Sequence, residues 1–150
     1  MKPEEFISFA NRMAAMLGGK ADGAIIRSVV SRSYYGAFHM ALDVLKELGC
    51  APRDDNHGQV RRIFQYSGND DAVAAANTLR DMHGDRIEAD YKLTNVKIET
   101  CRFAQLAIES ASEFSSRLNA LQQTCSDSAL RQQVVSAMRQ YCQTTQITLR

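Results

Sequence analysis

Tryptophan is absent from the 150-residue chain, proline occurs only at Pro3 and Pro52, and glycine only eight times. With helix breakers this sparse, and with β-branched runs short and embedded in helical periodicity, strands are not expected and the fold class is all-α. Charge of one sign is also missing. Eighteen Lys and Arg face 17 Asp and Glu, a net charge of +1, so no global polyelectrolyte draws the chain to nucleic acid, and only a local basic patch remains open. No apolar stretch approaches the ~20 residues of a membrane span, and the opening MKPEEFISFA is acidic rather than signal-like, which points to a cytoplasmic protein away from membranes. The four cysteines, Cys50, Cys101, Cys125 and Cys142, lie far apart, with no C-x-x-C pair and no His at zinc-finger spacing, so no metal site is expected. They are read as free thiols, Cys101 in the core.

What is present is an ordinary domain, 45% hydrophobic and 23% charged, long enough to bury roughly 70% of its unfolded surface without staples. Pro3 suits a first helical turn, Glu4 and Glu5 complement its dipole, and Phe6, Ala10, Met13 and Leu17 repeat along one face until Gly18-Gly19 stops the helix. From about Ala21 to Leu48, Ile26, Val30, Tyr34, Ala37, Ala41, Leu45 and Leu48 recur at spacings of three and four, and Gly49 ends this long second helix. CAPRDDN is a loop that caps a short third helix, His57 to Gln65. Asn69 or Asp70 caps a fourth, carried by Val73, Ala76, Leu79 and Met82 toward Gly84 and continued, with a kink, over Arg86 to Leu93. Thr94 or Asn95 caps a fifth, running to about Leu121. Ser126 or Asp127 caps a last helix bearing Leu130, Val134, Met138 and Tyr141, which packs on the outside of the bundle or on a second subunit, and the tail frays from Gln143.

One helix face carries chemistry. Ser28, Arg32, Tyr35, His39 and Asp43 fall three or four apart on the second helix, and a seven-residue step leaves Arg32 and His39 within ~20° of each other around the axis. Their separation along it is roughly 10 Å, which a bound phosphate can bridge. A guanidinium is a permanent bidentate phosphate donor, and an imidazole exchanges protons near neutrality. The competing reading is a solvated face or a polar network against a neighbouring helix. Gly36, beside Tyr35, gives up ~1 kcal/mol of helix propensity, so either a ligand or another helix approaches closely there.

A second cluster is Arg86, Asp90 and Tyr91 in RIEADY. It is either an ordinary i,i+4 ion pair or part of a cleft shared with Arg32, Asp90 orienting a guanidinium or His39 and Tyr91 offering a hydroxyl. His57 opens the third helix within RDDNHGQVRR, whose Arg53, Arg61 and Arg62 contact phosphates or, more simply, pair with Asp54 and Asp55.

The segment SRSYYGAFHMALDVLKELG, Ser31 to Gly49, resembles the second helix of HEPN domains (higher-eukaryote and prokaryote nucleotide-binding), where S-R-x-Y-Y-x-x-F-H recurs. His57-Gly58 and RIEADY follow in that family's order and approximate spacing. The resemblance covers about Phe6 to Leu121. It implies an up-and-down bundle of four or five antiparallel helices over 1–121; the additional C-terminal helix and tail over 122–150, read from the residues alone, lie outside the resemblance, in the same domain or at a dimer contact. It also implies a homodimer with a polar cleft where central helices meet. Many such proteins are metal-independent, cofactor-free endoribonucleases of toxin or antiviral type, often paired with a nucleotidyltransferase-like antitoxin. Their signature is an Arg and a His a few residues apart, a spacing that Arg32 and His39 satisfy. Asp90 stands where the best-described toxin branch carries a His, so the acid role falls to His39 or His57. Two expectations follow. In one, Arg32 and Arg86 stabilise charge on phosphorus, His39 handles the proton, and Tyr35 or Tyr91 positions an RNA strand. In the other, the same row holds a nucleotide or a protein partner without catalysis.

Overall fold

The computed structural model describes residues 2–150. Among them the fold is all-α, a helical bundle: α1 Pro3–Met16, α2 Gly23–Glu47, α3 His57–Gln65, α4 Asp70–Tyr91, α5 Cys101–Thr124 and α6 Ser128–Thr144, with a 3-10 turn Val96–Ile98 before α5. The only extended pairing among these residues is an isolated bridge between Pro52 and Leu149.

Local chemistry sets most boundaries. Pro3 occupies the first turn of α1 and its first-turn acids are Glu4 and Glu5. Asn56, Asn69 and Asp127 cap α3, α4 and α6 by accepting backbone N–H bonds from Gln59, Ala72, and both Ala129 and Leu130; each satisfies donors that the first turn leaves orphaned. Gly49, at φ +65°, turns the chain out of α2 in the left-handed conformation that glycine adopts without a Cβ penalty.

Among the described residues, 2–39 and 79–113 form one compact unit, and 40–78 and 114–150 another. In the first, Ala10, Leu17, Ile26, Val29 and Ala104 form one buried cluster and Val30, Ala89, Ile98 and Ala107 a second. In the second, Val60, Ile63 and Phe64 of α3 and Val134, Met138 and Cys142 of α6 are buried, and α3 contacts α6. Tyr66, at the end of α3, stacks on Tyr141 of α6 with ring centroids 4.4 Å apart.

Five expectations need correction. The fifth helix does not start after Thr94 or Asn95. Asn95 instead accepts from the Lys97 N–H at the head of the 3-10 turn, and α5 begins only at Cys101, with Thr100 Oγ1 accepting from the Phe103 N–H. The cause is Arg27. Its guanidinium donates to the carbonyls of Glu88, Ala89, Lys92, Leu93 and Asn95, and its Nε lies 2.8 Å from Glu99 Oε1.

The tail does not fray at Gln143. Beyond α6 the Ile147 N–H reaches the Cys142 carbonyl, Arg53 N–H bonds to Thr148 and Arg150 N–H to Ala51, and the Arg150 guanidinium pairs with Asp55. That pair also replaces the expected pairing of Asp55 with the arginines of its own segment. The fourth helix passes through Gly84 and ends at Tyr91 rather than Leu93. All four cysteines are free, but Cys101 is the partly exposed one, while Cys50, Cys125 and Cys142 are buried.

Candidate functional site

The candidate site lies in the first compact unit, where α1, the first part of α2 and the last part of α4 supply its side chains. Its geometry starts from Gly36. A β-carbon there would stand 2.7 Å from Ile7 Cγ1 and 3.3 Å from both Phe6 Cβ and the Pro3 carbonyl oxygen. The close approach read from the sequence is therefore that of a helix, α1, and the missing side chain is what lets it cross α2.

The crossing lays Phe6 on the α2 row. Its ring centroid is 5.5 Å from the His39 imidazole, stacked at 30°, and 5.9 Å from the Arg32 guanidinium carbon. Arg32 and His39 thus share Phe6 as a neighbour. Arg32 is exposed and has no carboxylate partner among the described residues. His39 is half-buried beside Phe6, Tyr35 and Phe38, centroids 5.5, 6.5 and 5.7 Å away.

Arg86 is in the opposite situation. Its side chain is 14% exposed and its Nε lies 2.8 Å from Asp90 Oδ2, a charge contact that lacks the angle of a directed hydrogen bond. Its Nη2 donates to the hydroxyls of Tyr35, at 2.5 Å, and Tyr91, at 3.2 Å. The guanidinium carbon also stands 5.2 and 4.9 Å from those two ring centroids, within range of cation–π attraction. Asp90 accepts a further bond from Ser31 Oγ at 3.2 Å. Burial works against the Arg86 charge, but the Tyr91 hydroxyl, with Tyr35 and Asp90, outweighs it and holds the guanidinium above its ordinary pKa.

Of the residues singled out from the sequence, the structure joins Tyr35, Arg86, Asp90 and Tyr91 in one network and sets Arg32 and His39 around Phe6. It does not join His57 to them. His57 heads α3 in the other compact unit. Asp43, the last member of the α2 row, pairs with Lys46 at 2.9 Å.

Three contributors were not legible as such. Phe6 reads from the sequence as one more core position on α1. Ser31, which fixes Asp90, is a plain helical serine. Arg27, which shapes the chain after α4, belongs to no pattern that spacing alone reveals. The one usable signal was Gly36, whose cost in helix propensity marks a crossing. The arrangement as a whole offers an exposed guanidinium, an imidazole held by aromatic rings and a second guanidinium fixed by two tyrosines. Those are the parts needed to hold an anion and move a proton without a metal ion. No family model matches this chain, and neither does any curated protein or solved structure.

Proposed function

We propose that this chain is a HEPN-like, metal-independent endoribonuclease of the toxin or antiviral-defence kind, acting on RNA in the cytoplasm. The observation that supports this reading is the contrast between the two guanidinium groups. Arg86 is committed to Tyr35, Tyr91 and Asp90, whereas Arg32 is exposed and bears on the same aromatic ring as His39. Arg32 then anchors the scissile phosphate, and Arg86 holds Tyr35 in place beside His39. The 2′-hydroxyl oxygen attacks phosphorus and the bond to the 5′-oxygen breaks. The proton leaves the 2′-oxygen and one is delivered to the 5′-oxygen, His39 serving one of these transfers and water the other. The products are a 2′,3′-cyclic phosphate and a 5′-hydroxyl end. A homodimer and a nucleotidyltransferase-like antitoxin belong to the same proposal.

The test is cleavage of single-stranded RNA by the purified chain in excess chelator. Arg32→Ala and His39→Ala each lower the rate by about 100-fold or more. Undiminished cutting by His39→Ala sinks the reading.

One observation favours a noncatalytic reading, in which the face binds a nucleotide or a protein partner. Phe6 adjoins both Arg32 and His39, and α1 is packed over Gly36. RNA or nucleotide binding with no cleavage at any chain concentration identifies that case.

A further inference from the structure

Beside Arg32 lies a cavity of about 370 Å³ lined by Glu5, Phe6, Ser8, Phe9, Arg12 and Arg32. We infer that it is a nucleobase subsite, which takes the base next to the phosphate held by Arg32 and prefers guanine. The inference rests on the reading of Arg32 as a phosphate anchor, and it adds what that reading leaves open, the identity of the flanking base.

The walls fit a flat ring. Phe6 and Phe9 are three residues apart on α1 and so lie on one face of it. Phe9 is 43% exposed, a large ring left open to solvent on the wall of a cavity. The Arg12 guanidinium carbon stands 5.6 Å from the Phe9 centroid, and that of Arg32 5.9 Å from the Phe6 centroid. Each apolar wall is thus edged by a cation. Arg12 donates to Ser8 Oγ at 3.1 Å, and neither arginine has a carboxylate partner among the described residues. The volume is at the lower end of the ~300–1,000 Å³ usual for small-ligand sites. A base stacking on aromatic walls contributes about 1–3 kcal/mol of binding, and the cations at the rim suit the phosphate attached to it.

Glu5 gives the selectivity. A carboxylate only accepts hydrogen bonds, and no side-chain bond to Glu5 is formed among the described residues. The base edge that answers it best presents two adjacent donors, as guanine does with N1–H and the N2 amino group. Adenine and cytosine present an amino group beside an acceptor. Uracil presents a single N–H between two carbonyl oxygens, which a carboxylate repels.

The test is calorimetric titration of the full chain with guanosine 3′-monophosphate and uridine 3′-monophosphate, neither of which contains an internucleotide bond to cut. The guanosine nucleotide is expected to bind about tenfold more tightly or better. Phe9→Ala and Phe9→Leu weaken it by about tenfold, since an aliphatic wall cannot stack. Glu5→Gln removes the preference, weakening the guanosine nucleotide and relieving the repulsion of the uridine one. Equal affinity for both nucleotides, or indifference to Phe9→Leu and Glu5→Gln, overturns the subsite. The two readings fail separately. Guanosine-selective binding that depends on Glu5 and Phe9, in a chain that cuts no RNA, removes the ribonuclease and keeps the subsite. Cleavage without base preference, unchanged by Glu5→Gln, does the reverse.

Discussion

The Tyr35 hydroxyl accepts a 2.5 Å hydrogen bond from Nη2 of Arg86, a residue 51 positions further along the chain. That bond sorts two arginines that look equivalent in the sequence. Arg86 is held inside the protein by its neighbours, while Arg32, one helical turn from Tyr35 on α2, is left facing solvent. The contrast bears directly on stability and on function.

Arg86→Ala is expected to lower unfolding free energy by about 2 kcal/mol, because it strands Asp90 and the Tyr35 hydroxyl in a half-buried setting. Arg32→Ala changes it by less than about 0.5 kcal/mol, as for other exposed positions. Urea unfolding of the two variants measures both. A similar loss in each would show that Arg32 carries structural weight and discredit the anion-anchor role proposed for it.

Gly36→Ala reverses the usual sign of a glycine-to-alanine change in a helix. Propensity alone favours alanine by ~1 kcal/mol. The new methyl would stand 2.7 Å from Ile7 Cγ1, a methylene on a β-branched side chain stiff at χ1, and 3.3 Å from Phe6 Cβ and the Pro3 carbonyl oxygen. A net loss of about 1–3 kcal/mol is expected, read as a lower Tm. A stabilised variant would mean that α1 does not cross α2 at Gly36.

Arg27 is 9% exposed and joins Glu99 to the carbonyls that end α4. Removing one partner of a buried, hydrogen-bonded ion pair typically costs 3–5 kcal/mol, so Arg27→Met is expected to lose about 3 kcal/mol. Arg27→Lys rescues little, because an ammonium cannot reproduce the planar fork. Hydrogen exchange at residues 92–99 should quicken in both variants well before it does elsewhere.

Burial pushes the thiols of Cys50, Cys125 and Cys142 above their ordinary pKa, which keeps them protonated and poorly nucleophilic. Cys101 is only partly buried. Alkylation of the native chain near neutral pH is therefore expected to modify Cys101 first, and all four only in denaturant. Mass spectrometry of the digested protein reads the order directly.

Two carboxylates on α4 have opposite pH signatures. Burial, then Asp81 and Glu88, hold Asp85 above the ordinary carboxylate pKa. Its folded form takes up a proton more readily than the unfolded chain, so its charge opposes folding once the pH has risen through that raised value. Hydrogen bonds from Lys92 and Asn95 hold Glu88 below the ordinary value. Its contribution is present above the unfolded pKa and lost as the pH falls through the depressed one. At pH 7, Asp85→Asn is expected to raise Tm and Glu88→Gln to lower it. Both differences shrink in acid, that of Asp85 at the higher pH.

Much of the local structure was legible because its causes are local. The stripe from Ile26 to Leu48, the Asn56 and Asp127 caps and the Gly49 exit follow from side-chain periodicity, short polar acceptors and a missing Cβ. Those same local signals misled at Asn95. An asparagine suited to a helix start does cap a turn there, but the segment's carbonyls and Glu99 are engaged by Arg27, whose partners lie between 61 and 72 residues away. The candidate site divides in the same way. Residue types and spacing on α2 picked out Arg32, Tyr35 and His39, while no spacing rule indicated that Phe6 would lie against two of them.

The sequence by itself determined that the chain is helical, where most helices start and stop, and which faces carry polar chemistry, because each depends on residues within a turn or two of one another. Only the tertiary structure decided which guanidinium is bound up in the protein and which is exposed, what occupies the space above Gly36, and how the chain enters α5. Those outcomes depend on groups far apart in the chain meeting at hydrogen-bonding distance, and helical periodicity is blind to which helix faces which.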